Sequence, residues 1–132
     1  GLDRAGAECY RRAGISDPTQ EIQLAELYDP FSATQFATLE SLGFCARGEA
    51  QNISDAGGLE CGAGGLVSVN PSGGTLCTNP IGVTGLVRVI EAARQVMGRA
   101  DEMQVAGVHN ALATAVGGST QFFTCTVLGD DY

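Results

Sequence analysis

The sequence contains no lysine, a single histidine and no apolar run long enough to cross a membrane. Its seven cationic residues are all arginines, against 15 acidic residues, which gives a formal net charge of −8. A surface that follows nucleic-acid phosphates is rich in cations, so this balance argues against a nucleic-acid partner. The N-terminus also lacks a charged-then-apolar signal pattern. We therefore expect a soluble, cytoplasmic protein with no membrane partner.

Cysteine is present, but its spacing suggests neither a disulfide framework nor a metal centre. The five cysteines are an odd number, with no Cys-x-x-Cys pair and no metal-ligand spacing. The lone His109 has no further ligand type at a suitable spacing, so we interpret it as an ordinary strand or loop residue. We expect neither disulfides nor a bound metal.

The first third of the chain predicts helix, strand and helix. A chain of 132 residues is enough for one domain with one core, so residues 1–132 are treated as one domain. Apolar spacing predicts a helix over residues 2–13 that ends at Gly14. The short stretch at 21–29 predicts a largely buried strand. Ser32 and Gln35 have the spacing of a capping box and predict the start of a helix that ends at Gly43.

The rest of the chain predicts a loop and four further elements. Residues 45–65 have no sustained period and predict a long functional or partner-facing loop. A strand at 66–69 leads into "SVNPSGGTLCTNPIGVTGL", after which Pro80 predicts the first turn of a central, mostly buried helix. Residues 104–115 and 119–129 predict a strand pair with a tight glycine turn. The order α-β-α-β-α-β-β predicts an α/β fold, a mixed sheet with helices packed on it.

The glycine-rich loop predicts either a ligand site or a structural turn. A helix that begins directly after such a loop presents unpaired N–H groups and a positive dipole end to an anionic or oxyanionic ligand. The loop lacks both G-x-x-x-x-G-K-[ST] and G-x-G-x-x-G, so nucleotide binding is weakly supported. The loop alone does not decide between the two readings.

Several motifs in order resemble the C-terminal half of thiolase-superfamily proteins, closest to sterol-carrier-type thiolases and bacterial lipid-transfer-protein paralogues. They are "YDPFSATQFATLESLGFCARGEA", "VNPSGG", "NPIGVTGLVRVIEAARQVMG" and the turn at Gly117. In that family an N-terminal half carries the acyl-accepting cysteine. The resemblance implies that this chain is inactive alone and pairs with such a half in a thiolase-type homodimer.

Each family loop that closes the active site is altered in this sequence. The resemblance places Tyr28 where thiolases have an asparagine or histidine, Asn79 where they have the histidine of Gly-His-Pro, and Thr114 near their final cysteine or histidine. It implies catalytic roles for these three residues and substrate contacts for Asp29, Phe31, Gly82 and Gly117. A phenol with a pKa of about 10 and a non-titrating amide cannot reproduce the thiolase proton shuttle unchanged.

These departures resemble thiolase-like aldolases of steroid side-chain breakdown, which act with an OB-fold partner protein. The resemblance then implies a coenzyme A thioester as substrate, with no bound cofactor. Tyr28 would be the base of a retro-aldol cleavage, and Asn79 would hold the enolate oxygen.

Simpler interpretations of the same residues stay open. Tyr28 fits the water-exposed end of a strand, Asn79 a turn former before proline, and Thr114 a plain strand residue. Asp29 fits a solvated or loop-capping residue, and Cys77 a small buried one. Three functions remain: half of an acyl-CoA enzyme that transfers acyl groups or cleaves C–C bonds, a non-catalytic acyl-CoA or lipid binder, and an assembly module.

Overall fold

The computed structural model describes residues 1–62 and 64–130. Its elements are α1 (Leu2–Ala13), α2 (Pro18–Glu21), β1 (Leu24–Glu26), α3 (Ser32–Ser41), α4 (Ala50–Asp55), β2 (Ser68–Val69), α5 (Gly74–Cys77), α6 (Thr84–Val96), a 3-10 turn (Asp101–Met103), β3 (Asn110–Gly117) and β4 (Phe122–Gly129). The longer elements follow the predicted order, with short helices added between them. The α/β prediction is confirmed.

The sheet is mixed and has the strand order β2-β1-β3-β4. Strand β1 runs parallel to both β2 and β3, while β3 and β4 form an antiparallel hairpin over eight paired positions. Because β1 is central and covered on both faces, all three of its residues are buried. The carboxyl ends of β1, β2 and β3 therefore meet at one edge of the sheet.

Helices cover the two faces of the sheet and create two apolar clusters. On one face α1 and α3 bring Leu2, Leu39 and Leu42 against Ala25 and Leu112. On the opposite face α6 brings Ala92 against Leu24, Ala111 and Ala113. The period-2 alternation along β1 and β3 divides their side chains between the two clusters. The sheet thus lies between two helical layers.

The helix predicted over residues 2–13 is confirmed, and Gly14 ends it in a left-handed conformation with φ of 72°. The predicted start of α3 is wrong in detail. Phe31 is its N-cap, and Ser32 is already helical with no capping hydrogen bond from its side chain.

Three predicted segments differ from the structure, around β1, α4 and β2. The extended stretch at 21–29 shortens to β1 because Asp17 caps α2 through a 2.9 Å bond from the Thr19 N–H, and Pro18 starts that helix. The predicted loop at 45–65 contains α4. The strand predicted at 66–69 is limited to β2.

The central helix begins later than predicted. Residues 79–83 form a turn, with hydrogen bonds from Ile81 N to Asn79 O and from Val83 N to Pro80 O, and α6 starts at Thr84. Gly82 has a φ of 98°, which a right-handed helix cannot include. Pro80 therefore lies in the turn rather than in the first helical turn.

Helix α6 is also less buried than predicted. One face packs on the sheet, but the other leaves apolar side chains in contact with solvent, and the preceding loops add more. The exposed apolar face consists of Phe31, Leu76, Ile81, Val83, Leu86, Ile90 and Met97. On α6 itself, Leu86 and Ile90 are four residues apart and so lie on one side of the helix, an arrangement typical of an interaction surface.

Strand β3 starts at Asn110 rather than at 104, and the hairpin with β4 is confirmed. Cys77, predicted to be buried, is exposed. Within the described residues, none of the helices combines the length and hydrophobicity that crossing a bilayer would need.

Candidate active site

A cavity of about 760 Å³ lies at the carboxyl edge of the parallel strands. Its wall combines the segment after β1, the first turn of α6 and the hairpin between β3 and β4. In open α/β sheets, ligands commonly bind at this edge. Four of the residues predicted to form the site line it: Tyr28, Phe31, Gly82 and Gly117.

Tyr28 is half-buried in the cavity wall, two residues beyond the end of β1. Its backbone N–H donates a 2.8 Å hydrogen bond to the Oγ1 of Thr114, a residue of β3 that is 2% exposed. Thr114 is not among the residues that line the cavity. The structure therefore places Thr114 behind Tyr28, where it fixes the backbone of that residue, and a catalytic role for Thr114 stays a prediction.

Asn79 is exposed and lies in the turn before α6, outside the cavity wall. Its Oδ1 accepts a 2.7 Å hydrogen bond from the hydroxyl of Thr84, which does line the cavity. That bond turns the Asn79 Nδ2 group away from Thr84 and leaves it to donate elsewhere. Asn79 thus sits at the rim of the cavity, next to the first N–H groups of α6.

Asp29 is 6% exposed, so the interpretation of it as a solvated residue is wrong. Its Oδ2 accepts a 2.7 Å bond from Asn70 Nδ2, and its Oδ1 accepts a 3.3 Å bond from Thr75 N–H. Burial raises the pKa of Asp29, while the hydrogen bond from Thr75 lowers it. Asp29 joins the segment after β1 to the segment after β2, and a contact of Asp29 with substrate stays a prediction.

Glu26 and Arg88, which are buried, form a polar cluster with the half-buried Ser72 that the sequence does not predict. Arg88 Nη1 donates 2.9 Å bonds to Glu26 Oε2 and to Ser72 Oγ. Ser72 also donates to Glu26, through its N–H at 3.1 Å and its hydroxyl at 2.7 Å. In the sequence, Glu26 and Arg88 are single charged residues within short apolar stretches. That pattern does not indicate that the two side chains meet.

Among the described residues, no group of three or more His, Cys, Asp or Glu side chains could hold a metal ion. The polar groups at and beside the cavity are the Tyr28 phenol, the Asn79 amide, the Thr84 hydroxyl and backbone N–H groups. Such groups can move a proton and stabilise an oxyanion.

Comparison with known proteins identifies the family. Residues 1–130 match the family described as "Thiolase C-terminal domain-like". Sterol carrier protein 2 of Gallus gallus is 36% identical over 115 residues, which are 86% of this chain and 20% of that protein. A "steroid side-chain-cleaving aldolase" of Thermomonospora curvata is 37% identical over 110 residues, 83% of this chain and 26% of that protein.

A solved structure titled "Ltp2-ChsH2(DUF35) aldolase" superposes with a TM-score of 0.83 at 35% identity. The match covers 98% of this chain and 32% of that one. The chain thus spans between a fifth and a third of the length of these relatives. The family match over nearly the whole chain establishes that the protein belongs to the thiolase C-terminal domain-like family.

Proposed function

We propose that this chain is the C-terminal half of a thiolase-like enzyme that cleaves a carbon–carbon bond of a coenzyme A thioester. The observation that carries the proposal is a cavity lined by both Tyr28 and the first turn of α6, with Asn79 bonded to Thr84 of that lining. The identities of 37% to an aldolase named for steroid side chains and of 35% to a solved aldolase structure support cleavage.

In the proposed reaction, Tyr28 is the base that removes the proton from the hydroxyl of a β-hydroxyacyl-CoA. The bond between the α- and β-carbons then breaks, which gives a carbonyl compound and a thioester enolate. The enolate oxygen accepts hydrogen bonds from Asn79 Nδ2 and from the first N–H groups of α6, which have no partner within the helix. Tyr28 then returns the proton to the α-carbon of the enolate, which gives the shortened acyl-CoA and restores the base.

The apolar face on α6 supports a partner that covers it. Leu86 is 60% exposed and Ile81 is 91% exposed. Leucine and isoleucine side chains are usually buried in a folded, fully assembled protein. An N-terminal thiolase half is the occupant that the family implies. We call the assembly of that half with this chain the complete subunit. The thiolase-type homodimer and an OB-fold partner protein belong to the same proposal.

The test uses the complete subunit with an OB-fold protein added. One sample receives a β-hydroxyacyl-CoA, and another receives a β-ketoacyl-CoA with free CoA. We expect release of a carbonyl compound from the hydroxy substrate and its loss in Tyr28→Phe. Tyr10→Phe, a change at a residue that does not line the cavity, should keep the activity. Turnover of only the keto substrate would contradict lyase chemistry, and CoA-thioester binding without turnover would favour a binding protein.

A further inference from the structure

The cluster of Glu26, Ser72 and Arg88 lies beside the cavity but outside its wall. Glu26 is 0% exposed and Arg88 is 1% exposed, and their charged groups lie 2.9 Å apart. Burying two charged groups carries a desolvation free energy that offsets much of their mutual attraction. A buried ion pair is therefore weak evidence for a role in stability. The Nε of Arg88 is also buried without a hydrogen-bond partner among the described residues, which adds a further cost.

Each member of the cluster belongs to a different part of the site. Glu26 ends β1, two residues before Tyr28, and Ser72 begins the segment that leads to Asn79. Arg88 lies on α6, four residues after Thr84. Its Nη1 contacts both Glu26 and Ser72, so one side chain joins all three parts.

The spacing of these residues links the cluster to the cavity. Alternate residues along a strand are about 6.6 Å apart, and residues four apart in a helix are separated by about 6 Å along its axis. The bond between Glu26 and Arg88 therefore sets which turn of α6 lies beside Tyr28. Tyr28 lies two residues after Glu26, and Thr84 lies four residues before Arg88. Both Tyr28 and Thr84 line the cavity.

We propose that Arg88 is a positioning residue of the site. Through Glu26 and Ser72 it fixes the register of α6 and of residues 72–83 against β1, and so it sets the separation between Tyr28 and the pair formed by Asn79 and Thr84. This inference rests on the proposed function for its catalytic consequence. Its structural part, the placement of residues 79–84, can be measured without turnover.

The main variant combines Glu26→Gln with Arg88→Met in the complete subunit. It leaves no buried charge unpaired, and the glutamine oxygen can still accept from the Ser72 N–H. We expect kcat for the β-hydroxyacyl-CoA to fall about 100-fold, because small displacements of reacting groups have effects of that size, with KM changed less than about twofold. Amide hydrogen exchange should become faster at residues 79–84 and stay the same in β1 and β3.

Arg88→Lys is the conservative control. Because one nitrogen of Arg88 makes both hydrogen bonds, an ammonium group can replace them, and the substitution also removes the buried Nε. We expect Arg88→Lys to recover most of kcat and of the exchange protection at residues 79–84. A purely structural role would instead lower the unfolding temperature and leave both measurements unchanged at temperatures well below it.

Wild-type kcat and wild-type exchange at residues 79–84 in the folded double variant would overturn the proposal. If the double variant does not fold, the Ser72→Ala variant tests the proposal instead, because this substitution removes one hydroxyl and no charge. The same loss of kcat and protection would support the proposal, and wild-type values would overturn it. If the wild-type subunit shows no lyase activity, the proposed function fails, and the exchange data still decide whether Arg88 positions residues 79–84.

Discussion

The hydroxyl of Thr84 donates a 2.7 Å hydrogen bond to the Oδ1 of Asn79, across the turn that precedes α6. This bond connects the first residue of the helix to Asn79, for which we propose a role in holding the enolate oxygen. It fixes the orientation of an amide that is otherwise exposed. The proposed use of Asn79 as a hydrogen-bond donor therefore depends on Thr84.

Thr84→Val removes this hydroxyl and keeps the shape of the side chain. We expect kcat of the complete subunit to fall about tenfold, since the Asn79 amide then loses its fixed orientation and with it part of the stabilisation of the enolate. Thr84→Ser keeps the hydroxyl and should retain most of the activity. Steady-state kinetics with the β-hydroxyacyl-CoA measures both, and equal kcat values for the valine and serine variants would contradict the role of the bond.

Gly85→Ala tests the close approach of α6 to β3. A Cβ at Gly85 would overlap the Cβ of Ala115, because the helix lies directly on the strand there. We expect the free energy of unfolding to fall by about 1–3 kcal/mol, the usual cost of overpacking. Urea denaturation measures it. Adding Ala115→Gly should restore most of the loss, and a stability of Gly85→Ala equal to wild type would contradict the contact.

Asp29→Asn tests the buried carboxylate at the cavity edge. Burial raises the pKa of Asp29 in the folded protein, so the folded state binds the proton more readily than the unfolded state. The wild type should therefore gain stability relative to Asp29→Asn as the pH falls from 7 toward the ordinary aspartate pKa of about 4. Urea denaturation of both proteins across this range measures the difference. A wild-type advantage that shrinks on acidification would mean that the bonds from Asn70 and Thr75 outweigh burial.

Cys9 should be the thiol that ionises near neutral pH. A hydrogen bond from Cys125 lowers the pKa of Cys9 to about 7, and the Val127 N–H and the Arg12 cation also lower it. The rate of Cys9 alkylation, followed by peptide mass spectrometry, should therefore rise with a midpoint near that pKa. Cys125→Ala should move the midpoint upward, whereas Cys125→Ser keeps a donor and should not. Equal midpoints in these two variants would contradict the assignment.

The sequence predicted the longer elements because their patterns are local. The helix over residues 2–13 has both its apolar spacing and its Gly14 stop within one short window. The start of α6 was misplaced because Pro80 favours a first helical turn, while the turn closed by Gly82 depends on conformation rather than composition. The exposed face of α6 was predicted as core because its apolar residues do not reveal which of them pack within this chain.

Half of the site could be predicted and half could not. The family motifs led to Tyr28, Phe31, Gly82 and Gly117, which the structure brings to one cavity. Arg88 was missed because its partners Glu26 and Ser72 are 62 and 16 residues away in sequence. A contact between residues so far apart depends on the stacking of α6 on β1, which no local pattern specifies.

The hairpin that closes the far side of the cavity stores conformational energy. Gly118, Ser119 and Thr120 all have positive φ, of 57°, 52° and 69°, and for the last two a left-handed backbone costs about 1–2 kcal/mol each. The pairing of β3 with β4 holds the tip in this form. Loss of the pairing at the start of β4, where Phe122 lies opposite Gly117, would therefore release the tip, whose residues line the cavity.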